Sequence, residues 1–143
     1  MKKNTQSGFS LIELLCVVTI IGIIAALGVP SLQRGIRAAD NGAAFATLRT
    51  MSAVQINFYS QNNRFANISE LNAAHNNAFG TLNEAGTGIT RGRFVYEMTP
   101  LNPDPDTDLK SGYTIIASGS NGVMGTPYVF RLNQSGEIVQ VTP

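Results

Sequence analysis

The sequence has one cysteine in 143 residues, no tryptophan, one histidine and only 13% charged residues. A single thiol, Cys16, closes no intrachain disulfide, so a disulfide framework is excluded as the means of holding a small domain together. The lone His75 has no serine or cysteine near it in a base-like pattern, and nothing in the sequence points to a catalytic triad. The chain therefore reads as no enzyme, and His75 as a polar residue at the end of a short helix. Ten Lys and Arg against nine Asp and Glu leave a formal net charge of +1, which gives no bulk-charge case for a nucleic-acid partner.

What the chain does have is an apolar run from about Phe9 to Leu32 with one charge in it, Glu13. From Phe9 to Pro30 the only other polar side chains are Ser10 and Thr19. At about 1.5 Å per helical residue such a run crosses roughly 30 Å of hydrocarbon, and it reads as a transmembrane helix. A carboxylate at that depth is costly and asks for a partner. Gly22 and Gly28 lower helix propensity, and Pro30 removes a backbone donor within the helix, so a kink is expected at Pro30. Lys2 and Lys3 favour a cytoplasmic N-terminus, although Arg34 and Arg37 beyond the run weaken the charge asymmetry.

The segment Gly8-Phe9-Ser10-Leu11-Ile12-Glu13, after the basic leader Met1-Lys2-Lys3-Asn4-Thr5-Gln6-Ser7, resembles the processing site of type IV pilins and of the pseudopilins of type II secretion. The resemblance extends along the first helix through Gly22 and Pro30 and is only architectural beyond about Asn62. It implies that a prepilin peptidase cuts after Gly8 and methylates the new amino terminus, making Phe9 an N-methylphenylalanine, with Glu13 acting in assembly. It also implies local melting near Gly22 and Pro30 in the assembled filament. Without the leader lysines the side chains carry eight Lys and Arg (10 − 2) against nine Asp and Glu. The single cysteine departs from the disulfide-bearing members of that family. An ordinary secretory signal cut at Ala26-Leu27-Gly28, leaving a soluble protein that starts at Val29, is a distant alternative. Glu13 inside the apolar core and Pro30 beside the bond stand against it.

From Ser31 to about Asn62 the helix continues, rich in alanine, with Phe45, Leu48, Met51, Val54 and Phe58 as an apolar stripe expected to receive a sheet. Arg34, Arg37, Asp40, Arg49 and Gln55 are expected on other faces. A helix from Phe9 to about Gln61 is roughly 80 Å long, so its first half is expected to project from the globular part. Gln61 to Arg91 reads as a long connection, with Asn67-Ile68-Ser69-Glu70 as a capped helix start for a short helix to His75; the same residues form a formal glycosylation sequon. After Gly92 the period changes to two. Phe94, Tyr96 and Met98, then Tyr113, Ile115 and Ala117, then Tyr128, Phe130 and Leu132 predict three strands, and a turn at Asn133-Gln134-Ser135-Gly136 leads into a fourth at Glu137 to Val141. The connections Pro100 to Ser111 and Gly119 to Thr126 are turn-rich.

No catalytic residues and no resident cofactor are expected. Asp104, Asp106 and Asp108 form a candidate calcium set, because secretion pseudopilins of the major type carry calcium in a loop of their globular domain. The segment lacks the glycine and distant glutamate of an EF-hand, and the competing reading is a solvated acidic loop. Phe58, Tyr59 and Phe65 are read as core aromatics.

The expected fold is α+β: a long N-terminal helix packed through its second half on a small antiparallel sheet of about four strands. The organisation is a cleaved leader (1–8), a transmembrane and filament-core helix (9–32), an amphipathic continuation (33–62) and a globular region (63–143). The resemblance implies a structural subunit of a type IV pilus-like filament, first held in the cytoplasmic membrane with its N-terminus inside. Its partners would be copies of itself, the prepilin peptidase and methylase, and an inner-membrane assembly platform. A pseudopilin or minor pilin of a type II secretion or DNA-uptake system is the alternative, and the destination is an extracellular pilus or a periplasmic pseudopilus accordingly.

Overall fold

Helix α1 runs from Leu11 to Asn62, with Pro30 inside it. In the computed structural model, residues 8–100, 108–119 and 128–142 are described. The chain divides into two units, one ending at Ala38 and one starting at Ala39. The first is the apolar part of α1, whose large side chains from Leu11 to Leu32 are all exposed. The second contains the rest of α1, two short helices and the sheet.

Sequence periodicity carries directly into the sheet. Strands β1 (Thr81–Leu82), β2 (Gly88–Arg91), β3 (Phe94–Thr99), β4 (Thr114–Gly119), β5 (Val129–Asn133) and β6 (Ile138–Thr142) pair in chain order, each antiparallel to the next. Alternation puts Phe94, Tyr96 and Met98 on the buried face of β3, with Ile115 and Ala117 of β4 and Phe130 and Leu132 of β5 beside them. Cross-strand neighbours on that face include Tyr96 with Ala117, Met98 with Ile115, and Ala117 with Phe130. The β5–β6 hairpin closes over the expected turn. Asn133 Oδ1 accepts from the amides of Ser135 and Glu137, both at 3.1 Å, and Gly136 takes a left-handed φ of 80°.

Among the described residues the sheet has six strands, two more than the periodicity predicts. The extra pair, β1 and β2, lies in the stretch read as a long connection. Two and four residues are too short to display a period, yet Ile89 of β2 is fully buried. The loop between them is built on Asn83, whose Oδ1 accepts from the amides of Thr87 (2.9 Å) and Gly88 (3.2 Å). Gly80, at φ 139°, lets the chain pass against the Thr90 carbonyl, where a Cβ would collide.

Helix α2 (Ile68–Ala74) starts where the sequence indicates. Asn67 Oδ1 accepts from the Glu70 amide at 2.8 Å, and Glu70 Oε2 accepts from the Asn67 amide at 3.0 Å, a complete capping box. His75 is its C-cap and stacks on Phe79, ring centroids 4.6 Å apart. A third helix, α3 (Asp108–Ser111), lies at the end of the turn-rich connection, and its Leu109 is fully buried.

The α1 face that meets the sheet is rotated from the expected stripe. Leu48 and Met51 are fully buried, Val54 and Phe58 are half-buried at the core's edge, but Phe45 is 41% exposed. The buried line is Ala44, Thr47, Leu48, Met51, Ser52 and Gln55. Adjacent residues are about 100° apart around a helix, so burying Ala44 turns Phe45 outward. Gln55, expected on another face, is fully buried. Its amide satisfies both backbone groups of Ala66, donating to the carbonyl and accepting from the N–H, each at 2.8 Å. Thr47 and Ser52 hydrogen-bond the hydroxyls of Tyr96 and Tyr113, and burial pushes both phenols above their ordinary pKa.

Candidate processing and assembly site

Gly8, Phe9 and Ser10 precede the first turn of α1 and are exposed, Phe9 by 81%. A Cβ placed on Gly8 would have nothing within 4 Å. The Gly8–Phe9 junction is therefore exposed among the described residues. The helix begins as the amides of Glu13 and Leu14 donate to the Ser10 carbonyl, at 3.1 and 3.3 Å. Glu13 thus sits in the first turn, where the positive end of the helix dipole favours a carboxylate.

Along the exposed apolar part, Thr19 is the one other hydrogen-bonding side chain between Leu11 and Pro30, and its hydroxyl donates to the Leu15 carbonyl at 2.8 Å. That bond satisfies the hydroxyl within the helix, as hydrocarbon requires. Cys16 is exposed on the same surface. A Cβ on Gly22 or Gly28 would meet nothing within 4 Å, and Pro30 continues the helix without an amide donor. The helix is long and apolar enough to cross a membrane. Within one chain, no part of this apolar window is buried; lipid or other protein surface has to cover it.

The acidic candidates fall elsewhere. Asp104 and Asp106 lie outside the described residues, and Asp108 is an exposed residue opening α3. Among the described residues no three His, Cys, Asp or Glu side chains come together as a metal site.

Sequence reasoning missed two connections between α1 and the globular unit. Arg93, in the β2–β3 turn, reaches Asp40 of α1 at 3.2 Å, and Gln55 clamps Ala66. The Asp40 pairing has no local signal, since the partners are 53 residues apart. Gln55 had one: it follows Met51 by four residues, on the line of the buried face. At the end of α1, Arg64 makes a two-pronged contact with Glu70, at 2.8 and 2.7 Å, and lies 5.2 Å from the centre of the Phe58 ring. The Arg64 hydrogen bond is the main reason that the Glu70 carboxyl lies below its ordinary pKa, against the opposing effect of burial. Tyr59, Phe65 and Tyr113 form a ring chain with centroid spacings of 4.7 and 4.9 Å.

Residues 3–29 match the family described as the prokaryotic N-terminal methylation motif. The chain is 28% identical over 109 residues to the fimbrial protein EcpC of Eikenella corrodens, covering 64% of this chain and 71% of that protein. It is 26% identical over 129 residues to the type IV major pilin protein PilA of Myxococcus xanthus (strain DK1622), covering 90% of this chain and 53% of that one. Over 65 residues it is 35% identical to the type II secretion system core protein G of Aeromonas hydrophila, 46% of either chain. The chain thus spans about half the length of the second and third of these relatives. No solved structure matches it significantly. With an exposed glycine–phenylalanine junction, a first-turn glutamate, an apolar helix and an antiparallel sheet, the chain carries an N-terminal methylation motif and is similar to type IV pilins, fimbrial proteins and type II secretion pseudopilins.

Proposed function

We propose that the chain is a structural subunit of a type IV pilus-like filament, cut after Gly8 by a prepilin peptidase and N-methylated at Phe9. The observation that carries this reading is the exposed Gly8–Phe9 junction at the head of an apolar helix that has no protein cover of its own. Before assembly the mature chain spans the cytoplasmic membrane once with its N-terminus inside, and an inner-membrane platform extracts it. In the filament the 9–32 segments of many copies cover one another, the 33–62 segment carries the globular region, and Gly22 and Pro30 are the points where the helix gives. Moving apolar side chains from lipid to protein gains little hydrophobic energy, so close packing and polar pairing must select the assembled state. Contacts that repeat head to tail without closing then yield an open filament.

The similarity to a type II secretion core protein supports a second reading, a pseudopilin or minor pilin of a secretion or DNA-uptake system, with a periplasmic filament. The protein's work in either case is structural rather than enzymatic.

Mass spectrometry of the mature N-terminus tests the processing. Methylated Phe9 is the expected result, whereas Val29 or an intact leader overturns it. Abundance in sheared surface filaments, against retention in the envelope, separates the pilus from the pseudopilus.

A further inference from the structure

The turn between β2 and β3 places two arginines beside the entry of α1 into the globular unit. Arg91 pairs with Phe94, closing a two-residue turn of Gly92 and Arg93 in which Gly92 takes the left-handed φ of 58°. Arg93 Nη1 reaches Oδ2 of Asp40, the second residue of that unit, at 3.2 Å, and Arg91 Nη1 donates to the Ala78 carbonyl at 3.1 Å. Both arginines are exposed. Between them and α1 lies a recess of about 160 Å³ floored by Ala43, Thr47 and Tyr96. Its charged lining is Arg91, Arg93 and Asp40, two cations against one carboxylate.

Chain order limits how far Asp40 can lie from the apolar run. Asp40 follows Leu32, the end of the apolar run, by eight residues (40 − 32). At about 1.5 Å per helical residue it lies no more than about 12 Å along the chain from the hydrocarbon, however α1 bends. The headgroup layer is itself roughly 5–7 Å deep on each side, which leaves it within reach of a guanidinium. Arg34 and Arg37 fall within the same eight residues. Guanidinium groups take phosphate oxygens through paired N–H donors, a geometry that an ammonium group lacks.

We propose that the Arg91–Arg93 turn docks on the phosphates of anionic phospholipids in the leaflet that α1 reaches after crossing, so that the unassembled subunit rests its globular unit on the membrane. Asp40 holds Arg93 when no phosphate is present and yields to the headgroup. The inference rests on α1 spanning the membrane, and its test separates the two.

The full-length mature chain is placed in lipid nanodiscs of phosphatidylcholine with or without phosphatidylglycerol, and amide exchange is followed by mass spectrometry. With phosphatidylglycerol, the peptide across the β2–β3 turn should exchange about fivefold more slowly, the gain expected for one basic residue at an anionic surface. High salt or the double variant R91Q/R93Q should remove that slowing, while β4 exchanges as before. Equal exchange of the turn in both lipids, with the 11–30 stretch protected, overturns the docking and leaves the membrane span standing. An unprotected 11–30 stretch overturns both. Slowing by inorganic phosphate alone in neutral discs assigns the recess to a free anion and overturns the lipid docking.

Discussion

At the scale of the residue, two positions carry specific predictions. Gly8 is one. A peptidase cutting next to an aromatic needs room on the other side of the bond, and Gly8 offers an exposed backbone with no side chain. Gly8→Val is expected to leave the leader attached and to block filament formation, read from the mass of the N-terminus and from filament yield. Filaments built from uncut subunits would contradict it. Gln55 is the other. Its amide replaces a backbone partner for Ala66 inside the core. Gln55→Leu is more apolar and similar in size, yet it orphans a buried N–H and a buried carbonyl at about 1–3 kcal/mol each. Thermal unfolding of the full chain should show a clear loss of stability, and an unchanged Tm would show that water takes over the amide's role.

At the scale of the element, the sheet and α1 hold one another through a mixed face. Phe130 of β5 shares the buried cluster with Leu48 and Met51 of α1. Phe130→Ala should cost about 3–5 kcal/mol, a large share of the stability of a small domain that has no disulfide. A melting temperature equal to that of the parent would remove Phe130 from the core. The α1–α2 corner carries a pH dependence. Glu70 has its folded pKa below the unfolded value, so its contribution is full above the unfolded pKa of about 4.3 and is lost as pH falls through the folded value. The Arg64–Glu70 pair is partly exposed, which limits the contribution to the order of 1 kcal/mol. Glu70→Gln should be less stable than the parent near neutrality and converge with it in acid. A constant gap down to low pH would contradict this assignment.

Much of this element structure was legible in the sequence. The alternation of Phe94, Tyr96 and Met98, and of Phe130 and Leu132, is strong because one face is buried and the other is not. The capping box of α2 needs only residues three apart. What escaped was set by tertiary pairing. Ile89 is buried because β3 lies beside it, not because four residues show a period. The rotation of α1 that buries Ala44 and exposes Phe45 follows from Thr47, Ser52 and Gln55 finding partners on the sheet and loop, which no hydropathy pattern weighs. The N-terminal methylation motif was readable for the opposite reason: it is local, and no described residue comes within 4 Å of a Cβ placed on Gly8.

At the scale of the whole molecule, the apolar stretch has no cover among the described residues and needs a membrane, other copies, or both in turn. The proposed cleavage at Gly8 would put a positive amine on Phe9, and methylation would preserve the charge. Glu13 lies four residues on, so the two could pair within one helix. We propose that Glu13 of an incoming subunit pairs instead with the Phe9 amine of one already assembled. Desolvation consumes much of the Coulombic gain, so the pair sets axial register more than it stores stability. Glu13→Asp, about one methylene shorter, should assemble poorly rather than not at all. The most direct measurement is the filament yield of Glu13→Val, taken together with its N-terminal mass and membrane fraction. Correct cleavage at Gly8 and normal membrane insertion with almost no filaments is the predicted result; abundant, ordinary filaments would contradict the pairing between subunits.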